Sequence, residues 1–292
     1  MIRAFFAVFF SFTLVAAAQE ELRPALETTY NTWRQAIVNR DFGAWERTTA
    51  SNRRIEVRNL IYSEKRPFPA SIFNIPGAPP ALQGLKFLEA TQSGPTAKAS
   101  YFGKIDFQVD GMPTDNLLVL SFIREGTFWL YDRADFVNLM ALPEVRRELA
   151  EGKLDYLKET PEARASGQLP VPAIPVNPAK YIAKVYVFSP GREVHVQINK
   201  VSRHRFANAK DAQIVIGGLK DGANEVQFSV KKLEGGKGTE AMTIRVYLFS
   251  EVEGVKPVKA FEYQLAEGGQ PKEFGTQIFT VDEMMVRQIT GK

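Results

Sequence analysis

A chain of 292 residues suffices for two domains with a core each, and 45% hydrophobic against 24% charged residues excludes both a disordered chain and a multi-span membrane protein. The absence of cysteine excludes disulfides, thiolate metal sites, a cysteine nucleophile and a lipidated cysteine. The net charge of +4, or +3 (4 − 1) without Arg3, is too slight to argue for a polyanion on its own.

The first eighteen residues have the order of a secretory signal. Arg3 leads a nearly unbroken apolar run from Ala4 to Val15, and Ala16-Ala17-Ala18 precede the polar Gln19-Glu20-Glu21. That run is too short to cross ~30 Å of hydrocarbon as a permanent helix. No later stretch approaches ~18 continuous apolar residues. The sequence therefore predicts an exported protein, periplasmic or secreted, with no stable membrane insertion once residues 1–18 are removed. Without cysteine or an Asn-x-Ser/Thr sequon, the pattern leans towards a bacterial envelope protein.

From Glu20 to about Thr49 the spacing predicts a helix, with Leu22, Leu26, Tyr30, Trp33, Ile37 and Val38 on one face. Asn39-Arg40-Asp41-Phe42 interrupts it, and Asp41 can cap a second short helix that turns Phe42, Trp45 and Ala50 inward. Arg53, Arg54, Arg58, Lys65 and Arg66 cluster, but Glu56 and Glu64 stand among them. Mixed signs read as a solvated helix end and loop, so no nucleic-acid partner is expected. Five prolines between Pro67 and Pro80 predict a loop or extended cover.

Leu85–Ala90, Ala97–Val109, Asn116–Arg124 and Thr127–Asp132 read as strands, with turns at Asp110-Gly111 and Glu125-Gly126. Pro143 opens a helix over Glu144–Glu159, with Val145, Leu149 and Leu154 inward. Residues 160–178 hold five prolines and predict an extended linker between domains at 19–159 and 179–292. Beyond it, Tyr181–Phe188, Glu193–Asn199, Gln213–Ile216, Glu225–Lys231, Met242–Ser250, Val258–Leu265 and Gln277–Val281 read as short strands of a β-sandwich.

The pattern Tyr30-x-x-Trp33-x-x-Ala36-x-x-x-Arg40-Asp41-Phe42-x-x-Trp45, a proline-rich cover and strands ending Phe128-Trp129-Leu130-Tyr131 resembles the NTF2-like superfamily. The resemblance covers roughly Glu20 to Leu139. It implies an α+β cone, a bent antiparallel sheet wrapped around the first helix, with Tyr30, Trp33 and Trp129 lining its pocket. It also implies pairing of cones through the outer sheet face, hence a homodimer. The enzymes of that superfamily do not map onto this chain. Trp33 stands where the isomerases use a tyrosine, Ser51–Tyr62 contains no aspartate, and the first domain has no histidine for a dehydratase.

His195 and His204 are the only histidines, the first outward on a strand and the second in an expected turn, so no metal site is expected and no cofactor is implied. Asp106, Asp110, Asp115, Asp132 and Asp135 are the acids near the cone. Asp106 interrupts an apolar strand and is the candidate base if it points inward. No nucleophile-elbow, zincin or phosphate-loop motif occurs. In the second domain Lys184-Val-Tyr186-Val-Phe188 is echoed by Arg245-Val-Tyr247-Leu-Phe249. On neighbouring strands these would make an aromatic face edged by Lys184 and Arg245, suited to a protein partner or a polysaccharide. The expected function is a non-enzymatic binding or assembly protein of the envelope. The alternatives are an NTF2-like enzyme acting on a small apolar substrate and a carbohydrate-binding module.

Overall fold

The computed structural model describes residues 6–106 and 112–291, with side chains described from Leu22 onward. The chain is mostly β, with three antiparallel four-stranded sheets and a few helices, and divides into two compact units. The Asp110-Gly111 turn, the end of the Ala97–Val109 run and the residues before Phe6 lie outside the described residues. Among the described residues no helix is long and apolar enough to cross a membrane.

The first unit comprises residues up to Arg54 and Ile72–Ala173. Helix α1 (Phe6–Asn39) ends where Arg40 takes a left-handed φ of 56°. Asp41 then caps α2 (Phe42–Thr48), its carboxylate accepting from the Ala44 N–H at 2.9 Å. Helix α3 (Ser51–Ser63) follows. Strands β1 (Lys86–Ser93), β2 (Thr96–Ile105), β3 (Thr114–Glu125) and β4 (Phe128–Asn138) form a meander in sequence order.

Strand β3 is buried on both faces, which is why it reads as a continuous apolar run. Leu118, Leu120 and Phe122 join Leu22, Leu26 and Tyr30 of α1 on one side. Leu117 and Val119 pack on the other side against Leu139, Leu149, Leu157 and Ala163. Apart from Leu139, which follows β4, the second group comes from α4 (Pro143–Glu151), α5 (Asp155–Glu159) and the turn after it, so this chain covers its own outer sheet face. The single helix predicted over Glu144–Glu159 is two. Gly152 adopts φ 87°, and the Gly152 and Lys153 N–H groups close back on Leu149 and Glu148 at 3.1 and 2.9 Å.

The predicted linker also differs from expectation, because its first part docks on the sheet. Thr91 Oγ1 accepts from the Ala165 N–H at 3.0 Å and Thr96 Oγ1 from the Gly167 N–H at 2.9 Å. Lys98 donates to the Glu162 carbonyl. No proline lies in this docked stretch, between Pro161 and Pro170, and the polar sheet residues satisfy its backbone groups.

The second unit comprises Ile174–Lys292 together with Ile55–Ser71. Its strands are β5 (Ile182–Phe188), β6 (Arg192–Ile198), β7 (Ser202–Ala207), β8 (Lys210–Ile214), β9 (Gly222–Lys232), β10 (Met242–Phe249), β11 (Val258–Leu265) and β12 (Phe274–Val281), and α6 (Glu283–Thr290) closes the chain. They form sheets of order β11-β10-β5-β8 and β12-β9-β6-β7. The alternating residues Val185, Val187, Val194, Val196, Val226, Phe228, Ile244 and Val246 make one hydrophobic cluster. Strand β7 and helix α6 are the elements that the sequence reading does not contain.

The 55–71 segment joins this unit through two buried polar residues. Asn59 is only 3% exposed, and its amide donates to the Ile174 carbonyl at 2.8 Å while accepting from the Val176 N–H at 3.1 Å. Ser63 donates to the Asn59 carbonyl at 2.6 Å and accepts from the Gly217 N–H at 2.8 Å. Two lost hydrogen bonds at roughly 1 kcal/mol each put the cost of Asn59→Ala at about 2 kcal/mol. Chemical denaturation should show that loss in the second unit's transition, and an unchanged midpoint would remove Asn59 from the account of how 55–71 is held.

Candidate functional site

The echoed strands are neighbours. Antiparallel pairing of β5 with β10 sets Tyr186 opposite Arg245, Lys184 opposite Tyr247 and Ile182 opposite Phe249. Because Val185, Val187, Val246 and Leu248 go to the core, all six predicted residues, Lys184, Tyr186, Phe188, Arg245, Tyr247 and Phe249, stand half-buried on the outer face. One expectation is corrected. The cations are interleaved with the tyrosines rather than edging them, since an antiparallel pair runs the two copies of the motif in opposite directions.

Flanking strands extend the face. Glu262 of β11 stands opposite Arg245 and Lys259 opposite Tyr247, while Ala212 and Lys210 of β8 adjoin Tyr186 and Phe188. Glu262 accepts from both Lys259 and Arg245, and these hydrogen bonds hold its carboxyl below the usual range. The Lys184 ammonium lies 5.1 Å from the Phe249 ring centroid. Four cations, Lys184, Lys210, Arg245 and Lys259, thus share the face with one carboxylate, Glu262.

The interior of the first unit brings together Tyr30, Trp33 and Trp129 in one cluster. Tyr131, part of the Phe128–Tyr131 run that marks the fold, is its centre. Its ring lies 3.9 Å from Trp33 and 5.7 Å from Tyr30, centroid to centroid. Tyr30 donates to the Pro80 carbonyl at 2.7 Å and Tyr101 to Glu27 at 3.1 Å. Burial pushes the phenols of Tyr30, Tyr101 and Tyr131 above the usual range, so they remain neutral donors. The Trp33 indole N–H is buried there without a partner.

Asp106 is not in that interior. Ile105 takes the inward position at the end of β2, and Asp106, the next residue, is exposed. It borders a cleft of about 270 Å³ with Arg34, Pro79, Pro80 and Lys104. Asp115 and Asp135 are likewise outside the interior, and Asp132 is buried with one oxygen on Arg133 at 2.9 Å.

The two histidines separate. His195 points outward beside Glu193, as its alternation predicts, and lines a cleft of about 220 Å³ with Gln197, Arg203, Gln227, Ser229 and Phe274. His204 is buried in β7, not in a turn. Gln213 Oε1 can only accept, so Nδ1–H donates to it at 3.0 Å, and Nε2 of the neutral imidazole accepts from the Ser202 hydroxyl at 2.6 Å, whose oxygen in turn accepts from the Ile216 N–H at 2.7 Å. Among the described residues no group of three acidic, histidine or cysteine side chains is placed to hold a metal ion. Comparison with family models, curated proteins and solved structures finds no match.

Burial pushes the His204 imidazole below its ordinary 6.5. Below that pH the unfolded chain binds a proton that the folded one refuses, so stability is full above about pH 6.5 and falls as the pH drops. Melting temperature measured between about pH 7.5 and 5 should decline for the wild type. His204→Gln should flatten that decline, and identical profiles for the two proteins would exclude His204 as its source.

Proposed function

We propose that this is an exported, non-catalytic binding or assembly protein of the cell envelope that holds an anionic partner on the outer face of the β11-β10-β5-β8 sheet. The observation that carries this reading is the β5–β10 register, which sets aromatic rings and cations alternately across a sheet face. Export rests on the Arg3, Ala4–Val15 and Ala16–Ala18 order of the N-terminus. The first unit, a helix packed on a four-stranded antiparallel meander with an aromatic interior, supports an NTF2-like reading. Two four-stranded sheets sharing one core support a β-sandwich.

Rings offer flat apolar area with polar tips, and the surrounding cations favour a partner of opposite charge. An acidic polysaccharide meets both requirements. A protein partner would have to present an acidic surface there.

A second reading has one observation behind it. The unpartnered Trp33 N–H, in an interior of neutral tyrosines, suits the carbonyl of a small apolar ligand. That reading needs a ligand and no general base, and Asp106 lies outside the interior that would hold it.

Affinity electrophoresis in gels carrying alginate or neutral dextran tests the main reading. The protein should be retarded by alginate alone and less so as salt rises towards about 0.3 M. Tyr186→Ala/Tyr247→Ala should weaken retardation by roughly ten-fold, the loss of about 1.4 kcal/mol, without lowering the melting temperature. A double variant retarded as strongly as the wild type would clear this face of the role. Equal retardation by dextran would dispose of the charge argument.

A further inference from the structure

Sheets end in edge strands whose free N–H and C=O groups invite pairing, and proteins guard them with charges, bulges or short length. Among the described residues the three sheets have six edge strands. Strand β1 carries Lys86 and Glu89, β4 carries Asp132, Arg133 and Asp135, and β7 carries Arg203 and Arg205. Strand β8 has Lys210 and Asp211 in five residues, and β11 has Lys259 and Glu262. Strand β12, Phe-Gly-Thr-Gln-Ile-Phe-Thr-Val over eight residues, has no charge and no proline.

Its open side can be assigned residue by residue. Val230 N–H donates to the Glu273 carbonyl at 2.9 Å and Asn199 N–H to the Glu225 carbonyl at 2.9 Å. In an antiparallel ladder hydrogen-bonded pairs alternate. Gly275, Gln277, Phe279 and Val281 therefore bond to β9, and the backbone groups of Phe274, Thr276, Ile278 and Thr280 face away from it. The same four residues are exposed, Phe274 at 63% and Ile278 at 62%. Without a charge, a proline or a bulge, this edge offers its free backbone groups and two apolar side chains to any strand that can pair with it.

We propose that this edge pairs with β12 of a second copy of the chain, antiparallel about a two-fold axis at Gln277. Centred there, Phe274 faces the partner copy's Thr280, Thr276 faces its Ile278, and every outward backbone group meets another. The two Ile278 side chains become diagonal neighbours on the same face, close enough to share their apolar surface. Just beyond the strand, Lys272 of each copy comes opposite Asp282 of the other, so the ends of the pairing are complementary in charge. Asp282 has one carboxylate oxygen engaged as the cap of α6, accepting from the Met285 N–H at 2.8 Å, which leaves its second oxygen to the incoming lysine. An isologous pairing needs a self-complementary strand, and β12 is one in hydrogen bonding, with Lys272 and Asp282 just beyond its ends complementary in charge. This inference does not rest on the proposed function, because the aromatic face belongs to the other sheet.

Analytical ultracentrifugation of the chain from Gln19 to Lys292 should show a dimer at micromolar concentration. Ile278→Lys, which points a charge outward and leaves the β9 bonds intact, should give a monomer with an unchanged melting temperature. Thr276→Lys does the same from the neighbouring position if the first variant folds poorly. Register is read by cysteine, which this chain lacks. Gln277→Cys should oxidise to a covalent dimer and Thr280→Cys should not, since only residue 277 meets its own copy. Three results would each overturn the proposal: a monomer at every concentration up to about 0.1 mM, a dimer indifferent to both lysine variants, or cross-linking through 280 and not 277. A monomer that pairs this edge with a foreign peptide overturns it as well.

Discussion

Alternation along β5, β6, β9 and β10 is the constraint from which the second unit follows. Each strand sends every second residue to a shared core, so a slip of one residue would put valines in water and lysines in the core. With the register held that firmly, the residues between the core positions are placed without any interaction of their own. Lys184, Tyr186, Arg245 and Tyr247 lie together because Val185, Val187, Val246 and Leu248 are buried. The outer face is thus a by-product of the inner one in geometry, while its composition is free to serve a partner.

The same logic distributes hydrogen bonds. Strand β9 gives alternate residues to β6 and to β12, and this sharing leaves one set of β12 groups pointing outward. Edge character is a property of topology and cannot be seen in the local sequence of β12. Sequence does show that the strand lacks the charges found on the other edges, but that lack acquires meaning only when the strand is known to lie at an edge.

What was legible in the sequence was local. Asp41 before Phe42, Pro143 at a helix start and the paired Lys/Arg-Val-Tyr-x-Phe motifs announce a cap, a helix and two strands through residue-level chemistry. What was not legible depended on distant partners. Ser202-Arg-His-Arg205 looks like a turn because it is polar, yet Ser202 and Gln213 satisfy His204 in the interior and allow a strand. The 55–71 segment gives no sign of belonging with the second unit, because Asn59 and Ser63 are ordinary helix-surface residues until Ile174, Val176 and Gly217 reach them. For the candidate face, the residues could be named from sequence and their interleaving could not. In the first unit Tyr131 was missed as an interior residue, although its place two residues after Trp129 on the same strand signals the same face.

Separation of the two surfaces has a consequence for binding. The aromatic and basic face lies on the β11-β10-β5-β8 sheet, and the open edge lies on the β12-β9-β6-β7 sheet. Pairing through β12 would consume none of the residues proposed to meet the partner, and it would place two copies of that face in one particle. For a polymeric partner, two weak sites on one particle act with an effective concentration set by their spacing, so that avidity exceeds the affinity of either. A face of four cations and one carboxylate, moderate by itself, then needs no deep pocket to hold a polymer. In the first unit, Leu149, Leu157 and Ala163 of the same chain lie on the outer sheet face over Leu117 and Val119. Under the proposed pairing the binding face stays open, because self-association uses the β12 edge, the one among the described residues that carries no guard.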